Sequence, residues 1–329
     1  MHQRQLGPFT ISALGLGCMN ICMGYGDPVD DETAGTLLNT ALDAGYTFLD
    51  TASMYGNSER LIGKHIAGRR HEYTLASKCG IFKNNEGVTE TSGRPEILRK
   101  TCEDSLSRLN TEVIDLYYLH RIDPNVPVEE SVGEMSRMVE DGLVQTIGLS
   151  EVSTESLRKA HATHPITALQ SEYSLWSRTP ERQILAACKE LSVTFVPFSP
   201  LARQFLTGKA IDVDGMGAND IRASIARPRF EPAAFAQNTK LLKPYGEIAQ
   251  REECTMAQLA LAWLLAKDAT YIPIPGTKQL DYLVENAGAS EVKLSPDTVN
   301  ELDELINENT VTGKRYTDPL MASTDSERD

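Results

Sequence analysis

Residues 48–63 of this 329-residue chain read FLDTASMYGNSERLIG. A β-rich run that begins at Tyr46 closes on a carboxylate, Asp50, and the polar loop after it carries Tyr55 in a Tyr-Gly turn. The same arrangement, a short strand run followed by a longer stretch of helical period, recurs along the chain. Strand runs fall at 14–17, 46–50, 73–78, 113–120, 144–150, 166–170, 193–197 and 271–275. The stretches between them space apolar residues three and four apart, as in Ala34, Leu37, Leu38, Ala41 and Leu42, or Val128, Val132, Met135 and Val139. That spacing gives each helix one apolar stripe. Strand and helix alternating through all eight runs predict an α/β fold that closes into a (β/α)8 TIM barrel, with parallel strands covered outside by helices. A doubly wound open sheet is the alternative with the same alternation.

Outside the repeat, residues 1–13 read as a hairpin, two short strands around Gly7-Pro8 that could cover the barrel floor. Residues 200–235, after the seventh strand, are too long for a plain connection and are expected to form a binding lid. Residues 310–329 are polar and weakly patterned, which leaves open both disorder and a fold across the barrel mouth. No linker-like stretch divides the chain, so 1–329 is expected to be a single barrel domain.

Hydrophobic content of 41% is ordinary for a globular protein. No apolar run approaches the roughly 20 residues that cross a bilayer, and the start MHQRQLGPFTIS lacks a secretory pattern. A soluble cytoplasmic protein is expected. The net charge of −14 argues against nucleic acid and anionic membranes as partners, and it requires a local basic patch for any anionic cofactor. Oligomeric state is not legible. The six cysteines form no CxxC pair; Cys18 and Cys22, four apart with no histidine near in sequence, make a poor metal site, and reduced packing thiols are expected. His161 and His164 read as a solvated helix end rather than ligands.

Barrel enzymes place their chemistry at the carboxyl ends of the strands. Here Asp50, Lys78, His120, Ser150, Gln170 and Ser199 stand at such ends and should converge on one mouth. The set suits carbonyl reduction. Hydride arriving at a carbonyl carbon places negative charge on the oxygen, so a proton donor must sit within hydrogen-bond reach. Tyr55 is the expected general acid. A buried ammonium some 4 Å away, Lys78, would ease its deprotonation by on the order of 1 to 4 kcal/mol. Asp50 would keep that ammonium charged, and His120 would orient the carbonyl and share the proton. A Lys–Asp pair can also be purely structural, and a Tyr-Gly turn is common in loops. Tyr25, Met54 and Trp176, each on a loop after a strand, are expected to wall the pocket for a small carbonyl substrate, with loop packing as the alternative.

These motifs together resemble those of the aldo-keto reductase superfamily. FLDTASMYGNSERLIG is similar to that family's aspartate-to-tyrosine signature, and ASKCG and YYLHRID are similar to its lysine and histidine segments. The resemblance spans nearly the whole chain and implies catalytic roles for Asp50, Tyr55, Lys78 and His120. It implies NADP(H) bound across the barrel mouth with no Rossmann domain. Ser150 and Gln170 would bond the nicotinamide carboxamide, and Phe198 would stack on its ring. Ser199, Leu201 and Arg203 would hold pyrophosphate, with Gly276 and Thr277 at a helix amino terminus offering N–H groups to phosphate. Lys278 would read the ribose 2′-phosphate, and Glu285 and Asn286 would contact adenine. GLSE and EYSLW are shared with a branch resembling plant auxin-induced proteins and bacterial pyridoxal or general aldehyde reductases. Four departures stand out: Glu151 where much of the superfamily has asparagine, Phe198 where tyrosine or tryptophan is commoner, Gln279 where that branch often has arginine, and Gln204 where the family usually has glycine. The Gln279 position implies a weaker preference for NADPH over NADH. Potassium-channel β subunits resemble the same family, so a nucleotide-binding regulatory subunit with little turnover is the alternative function.

Overall fold

The apolar spacing of residues 31–43 becomes the helix Asp31–Asp43, which buries Ala34, Leu37, Leu38, Ala41 and Leu42 on one side. Its first turn is capped by the Asp30 carboxylate, which accepts from the Thr33 amide at 2.8 Å. The helix Val128–Glu140 likewise buries Val128, Val132 and Met135, with Met138 completing the stripe. A computed structural model describes residues 1–84, 86 and 88–329.

Gln3–Leu6 (β1) and Phe9–Ser12 (β2) pair antiparallel as the expected hairpin. The main sheet is parallel, and its strands stand beside one another in chain order: Leu16–Gly17 (β3), Phe48–Asp50 (β4), Thr74–Cys79 (β5), Ile114–Leu119 (β8), Val144–Ser150 (β9), Ala168–Glu172 (β10) and Thr194–Phe198 (β11). A second hairpin, Ile81–Lys83 (β6) with Thr89–Thr91 (β7), was not legible in the sequence and rises from the end of β5.

The barrel therefore has seven regular strands, and the eighth expected run needs correction. Residues 271–275 lie between β11 and β3 and are bonded to both, but they do not form a strand. Ile272 and Ile274 donate to the Phe195 and Pro197 carbonyls at 3.0 and 3.1 Å, while Pro273 and Pro275 accept from Gly15 and Gly17 at 3.0 and 3.1 Å. The prolines have no N–H to return to β3, so this seam carries half a ladder.

Side chains alternate across each strand. Leu49, Leu75, Tyr117, Leu169 and Phe195 point outward into the core beneath the helices. Phe48, Ala76, Leu116, Tyr118, Ala168, Val196, Ile272 and Ile274 point inward, and Leu6 and Ile11 of the hairpin close this inner cluster from below. Gly148 belongs to the same inner layer; a Cβ there would meet the Tyr118 ring at 2.6 Å, so only glycine lets that ring lie across the barrel. Among the described residues no helix is long and apolar enough to cross a membrane.

Segment 200–235 is built of short 3-10 turns, Phe205–Thr207, Ile221–Ala223 and Arg227–Arg229, leading into the helix Pro232–Asn238. The tail is folded: it carries the helix Asp318–Ser323 and the turn Asp325–Arg328. All six cysteines are free thiols, and no group of three or more metal-ligating side chains occurs among the described residues.

Candidate active site

A step of two residues along each strand keeps a side chain on the same face. One step beyond Phe48, Ala76, Tyr118, Gly148, Ala168 and Val196 stand Asp50, Lys78, His120, Ser150, Gln170 and Phe198. The inward apolar layer is thus roofed by a polar one, and the strand-end residues converge as the sequence implied. Register fixes the neighbours: Asp50 pairs with Ala76 on β5, so Lys78 lies one inward step above it.

Lys78 Nζ donates to Asp50 Oδ1 at 2.5 Å and to the Thr51 carbonyl at 2.8 Å, and lies 3.5 Å from Tyr55 Oη. Gln170 Nε2 donates to the other Asp50 oxygen at 2.7 Å. The His120 ring meets the Tyr55 ring edge to face, centroids 5.7 Å apart. Lys78 is 0% exposed and Asp50 2%, whereas Tyr55 at 9% and His120 at 7% keep a face to the cavity.

Burial opposes the charge on Lys78, but Asp50 and Tyr55 together outweigh it and lift the ammonium above its ordinary value. Burial raises the Asp50 carboxyl as well, and Lys78 and Gln170 pull it back down only in part. Burial raises the Tyr55 phenol and Lys78 pulls it down only in part, so the phenol sits above its ordinary value. The expectation that the lysine field would dominate is corrected: in the open cleft desolvation wins. His120 is pushed well below its ordinary value by burial, then by Arg121 and Lys78. A neutral imidazole offers a hydrogen bond but no proton at neutral pH, so the sharing of a proton expected for His120 is withdrawn.

These groups open onto a cavity of about 1010 Å³ lined by Tyr25, Met54, Ser150, Gln170, Phe198, Ser199, Leu201, Arg203, Gly276, Thr277, Lys278, Glu285 and Asn286. Trp176 is the exception and a second correction. It is buried, stacks on Phe205 at 4.1 Å and lies under the Arg229 guanidinium, as packing beneath segment 200–235. Arg203 reaches the cavity wall; its Nη atoms donate to Glu172 at 2.7 Å and to the Arg315 carbonyl at 3.0 Å, while its buried Nε has no partner among the described residues. The backbone around it is better disposed. Ser199, Ala202, Arg203 and Gln204 all have positive φ, and the N–H groups of Leu201, Arg203 and Gln204 have no partner among the described residues. Successive amides in such conformations form an anion-binding concavity. Gln204, at φ +81°, occupies a conformation that favours glycine. Its side chain ties the segment instead, donating to the Ala210 carbonyl at 3.3 Å and accepting from Arg222 at 2.7 Å.

Gly276 packs against β3, and a Cβ there would stand 2.6 Å from the Gly17 carbonyl. The helix beyond it, Leu280–Gly288, begins without a side-chain cap, which leaves its first N–H groups open. Lys278 donates to the Tyr25 carbonyl at 2.9 Å and to that of Asp27.

Two contributors escaped the sequence reading, and a third settles an alternative it left open. Lys209 stands over the Tyr282 ring, 3.7 Å from Glu285, as a cation at the helix end of the cavity. Arg121 lies beside His120. The tail is the third: Tyr316, Leu320 and Thr324 line the cavity, held there by Arg315, which bonds both Glu151 oxygens at 3.0 and 2.5 Å. Burial alone would raise the Glu151 carboxyl, but Arg315 overrides it and holds it down to about 2.

Residues 13–307 match the model of the Aldo/keto reductase family. The chain is 40% identical over 326 residues to a probable aldo-keto reductase 1 of Glycine max, covering 96% of this chain and 93% of that protein. The fold is similar to that of the glycerol dehydrogenase of Gluconobacter oxydans, with TM-score 0.84, 25% identity, and coverage of 92% and 94%. It is also similar to a thermostable aldo-keto reductase solved with the inhibitor epalrestat, with TM-score 0.75, 32% identity, and coverage of 93% and 100%.

Proposed function

The chain belongs to the aldo/keto reductase family, and from that premise we propose that it reduces aldehydes and ketones to alcohols with NADPH, reversibly, as one barrel domain spanning 1–329. The observation that carries this reading is the buried Asp50–Lys78 pair, with Lys78 Nζ 3.5 Å from a Tyr55 phenol at the cavity wall and a neutral His120 edge-on to it.

When bound, the reduced nicotinamide supplies a hydride to the carbonyl carbon. The residues do the rest. His120 donates an N–H to the carbonyl oxygen and fixes its direction. Tyr55 gives that oxygen its proton as negative charge develops, and Lys78 stabilises the phenolate left behind. Asp50 holds Lys78 charged. Burial keeps Tyr55 protonated in the resting site, so the proton leaves when the oxygen calls for it and not before. Phe198 offers a stacking face, the free Oε1 of Gln170 and the Ser150 hydroxyl suit a carboxamide, and the amides of Leu201, Arg203 and Gln204 suit a pyrophosphate. Lys209 and Lys278 are the basic patch that the net charge of −14 made necessary.

Turnover with an aldehyde panel and NADPH tests the proposal, with Tyr55→Phe as the decisive variant. The expected result is loss of reduction by at least about 100-fold with unchanged nucleotide affinity. Near-normal turnover in Tyr55→Phe refutes the phenol as acid. Nucleotide binding without turnover in the unaltered protein favours the regulatory alternative.

A further inference from the structure

Most of the cationic groups around the cavity can be traced to a carboxylate partner. Lys78 has Asp50 at 2.5 Å, Arg203 has Glu172 at 2.7 Å, and Arg328 has Asp325 at 2.9 Å. Lys209 lies 3.7 Å from Glu285. Lys278 and Arg121 have no carboxylate within ion-pair distance among the described residues; Lys278 is tied to the Tyr25 and Asp27 carbonyls at the far end, and Arg121 stands at the reacting end. That is notable in a chain of net charge −14, where acidic side chains are in excess.

Its head group is nevertheless fixed. Nη1 donates to the His120 carbonyl at 2.6 Å and to Ser150 Oγ at 3.1 Å, which uses both of that nitrogen's protons. Nε and Nη2 make no hydrogen bond among the described residues, and neither is a buried atom lacking a partner. Arg121 lines the cavity. The Nε–Nη2 edge of a guanidinium is one of the two edges that take a carboxylate side-on through parallel hydrogen bonds. Pinning the Nη1 corner presents that edge without further ordering cost.

We infer that the Nε–Nη2 edge of Arg121 is an anion subsite for substrate, so that the carbonyl compounds this protein reduces best carry a carboxylate. The inference rests on the reductase reading above and narrows its substrate class. Met54, Ile122 and Tyr316 line the cavity as apolar spacers, which suits an acid whose carboxylate and carbonyl are joined by a short hydrocarbon or aromatic body.

Paired substrates read this directly: succinic semialdehyde with butanal, and para-carboxybenzaldehyde with para-tolualdehyde. In each pair kcat/KM should favour the acid, and Arg121→Met should cut that preference on the order of 10- to 100-fold, the scale of a charge-assisted hydrogen-bonded pair. Arg121→Lys should restore part of it. NADPH affinity, measured by titrating protein fluorescence, should change far less than the substrate ratio. A second readout avoids turnover: calorimetric binding of para-carboxybenzyl alcohol to the protein saturated with NADP should weaken in Arg121→Met. If turnover is absent but this binding depends on Arg121, the reductase reading falls and the anion subsite stands. If aldehydes are reduced but both members of each pair lose equally, or NADPH affinity falls with the ratio unchanged, Arg121 serves the nucleotide and the inference is overturned.

Discussion

Replacing Lys78 with methionine keeps the length of the stem but removes the ammonium that Asp50 Oδ1, the Thr51 carbonyl and Tyr55 Oη share. Asp50, 2% exposed, is left with Gln170 as its one remaining donor. Two escapes are open to it. Remaining ionised and unpaired costs about 3–5 kcal/mol. Taking up a proton instead costs, from the ordinary value of 3.8, about 1.36 kcal/mol for each unit by which the pH exceeds it, which is about 4.4 kcal/mol at pH 7 and about 1.6 at pH 5. The cheaper route wins, so the loss should be about 3–4 kcal/mol at pH 7 and shrink by about 1.4 kcal/mol per unit as the pH falls towards 5. The sign follows from burial: a carboxyl whose folded value is raised contributes stability that is full below 3.8 and lost as pH rises through the folded value. In the unaltered protein that window closes sooner, because Lys78 and Gln170 pull the Asp50 carboxyl back down. Urea unfolding midpoints of the unaltered protein, Lys78→Met, Asp50→Asn and the double variant, taken at pH 5, 6 and 7, give the cycle. The double variant should be more stable at pH 7 than Lys78→Met alone. A loss independent of pH, or singles that simply add, would refute the claim that this pair is ionised and mutually dependent.

His120 gives the opposite acid response. Its folded value lies well below the ordinary 6.5, so stability is full above pH 6.5 and falls below it by up to about 1.4 kcal/mol per unit. Urea midpoints of His120→Gln should lack that slope, and an unchanged slope would place the proton uptake elsewhere. Lys278→Ala should raise the Kd for NADPH about 10-fold more than that for NADH, because a charge-assisted bond to a phosphate is lost. Equal losses would show Lys278 to be a tie between loop carbonyls and nothing more. Arg315→Leu strands Glu151, 0% exposed, and should destabilise the protein by about 3–5 kcal/mol while exposing residues 316–329 to limited proteolysis. An intact, protected tail in that variant would refute its role as the anchor.

Strand ends were legible because an alternation of two needs only local sequence: once Phe48 or Ala168 faces inward, so must Asp50 and Gln170. The failures are non-local. Residues 271–275 read as a strand by composition, but the alternating prolines decide which neighbour can be fully bonded, and that depends on where β3 and β11 lie. Trp176 looks like a pocket wall in EYSLW until Phe205 and Phe230, far along the chain, close over it. Arg203 reads as a free cation because Glu172 is remote in sequence. The Tyr55 phenol was misjudged for a different reason: sequence shows the cation beside it but not how little water reaches it.

Remote pairing also explains why the residue after Ser150 is a glutamate. Glu151 adopts φ +55°, which turns its side chain away from the cavity and towards Arg315. Its carbonyl accepts from the Ser326 amide at 3.1 Å. Arg315 in turn accepts at its carbonyl from Arg203 of segment 200–235, and Arg203 is held by Glu172 at the end of β10. One buried network therefore joins two strand ends, the lid segment and the tail. Moving the lid away from the cavity would part Arg203 from Glu172, leaving both charges buried and unpaired, and would break the Trp176–Phe205 stack. Neither cost is small, so an opening for the proposed nucleotide would come from the part of the segment outside this network. Residues 208–219, exposed or half-buried throughout, are that part. It is tied back by the Gln204 side chain, which donates to the Ala210 carbonyl at 3.3 Å, rather than by buried charge.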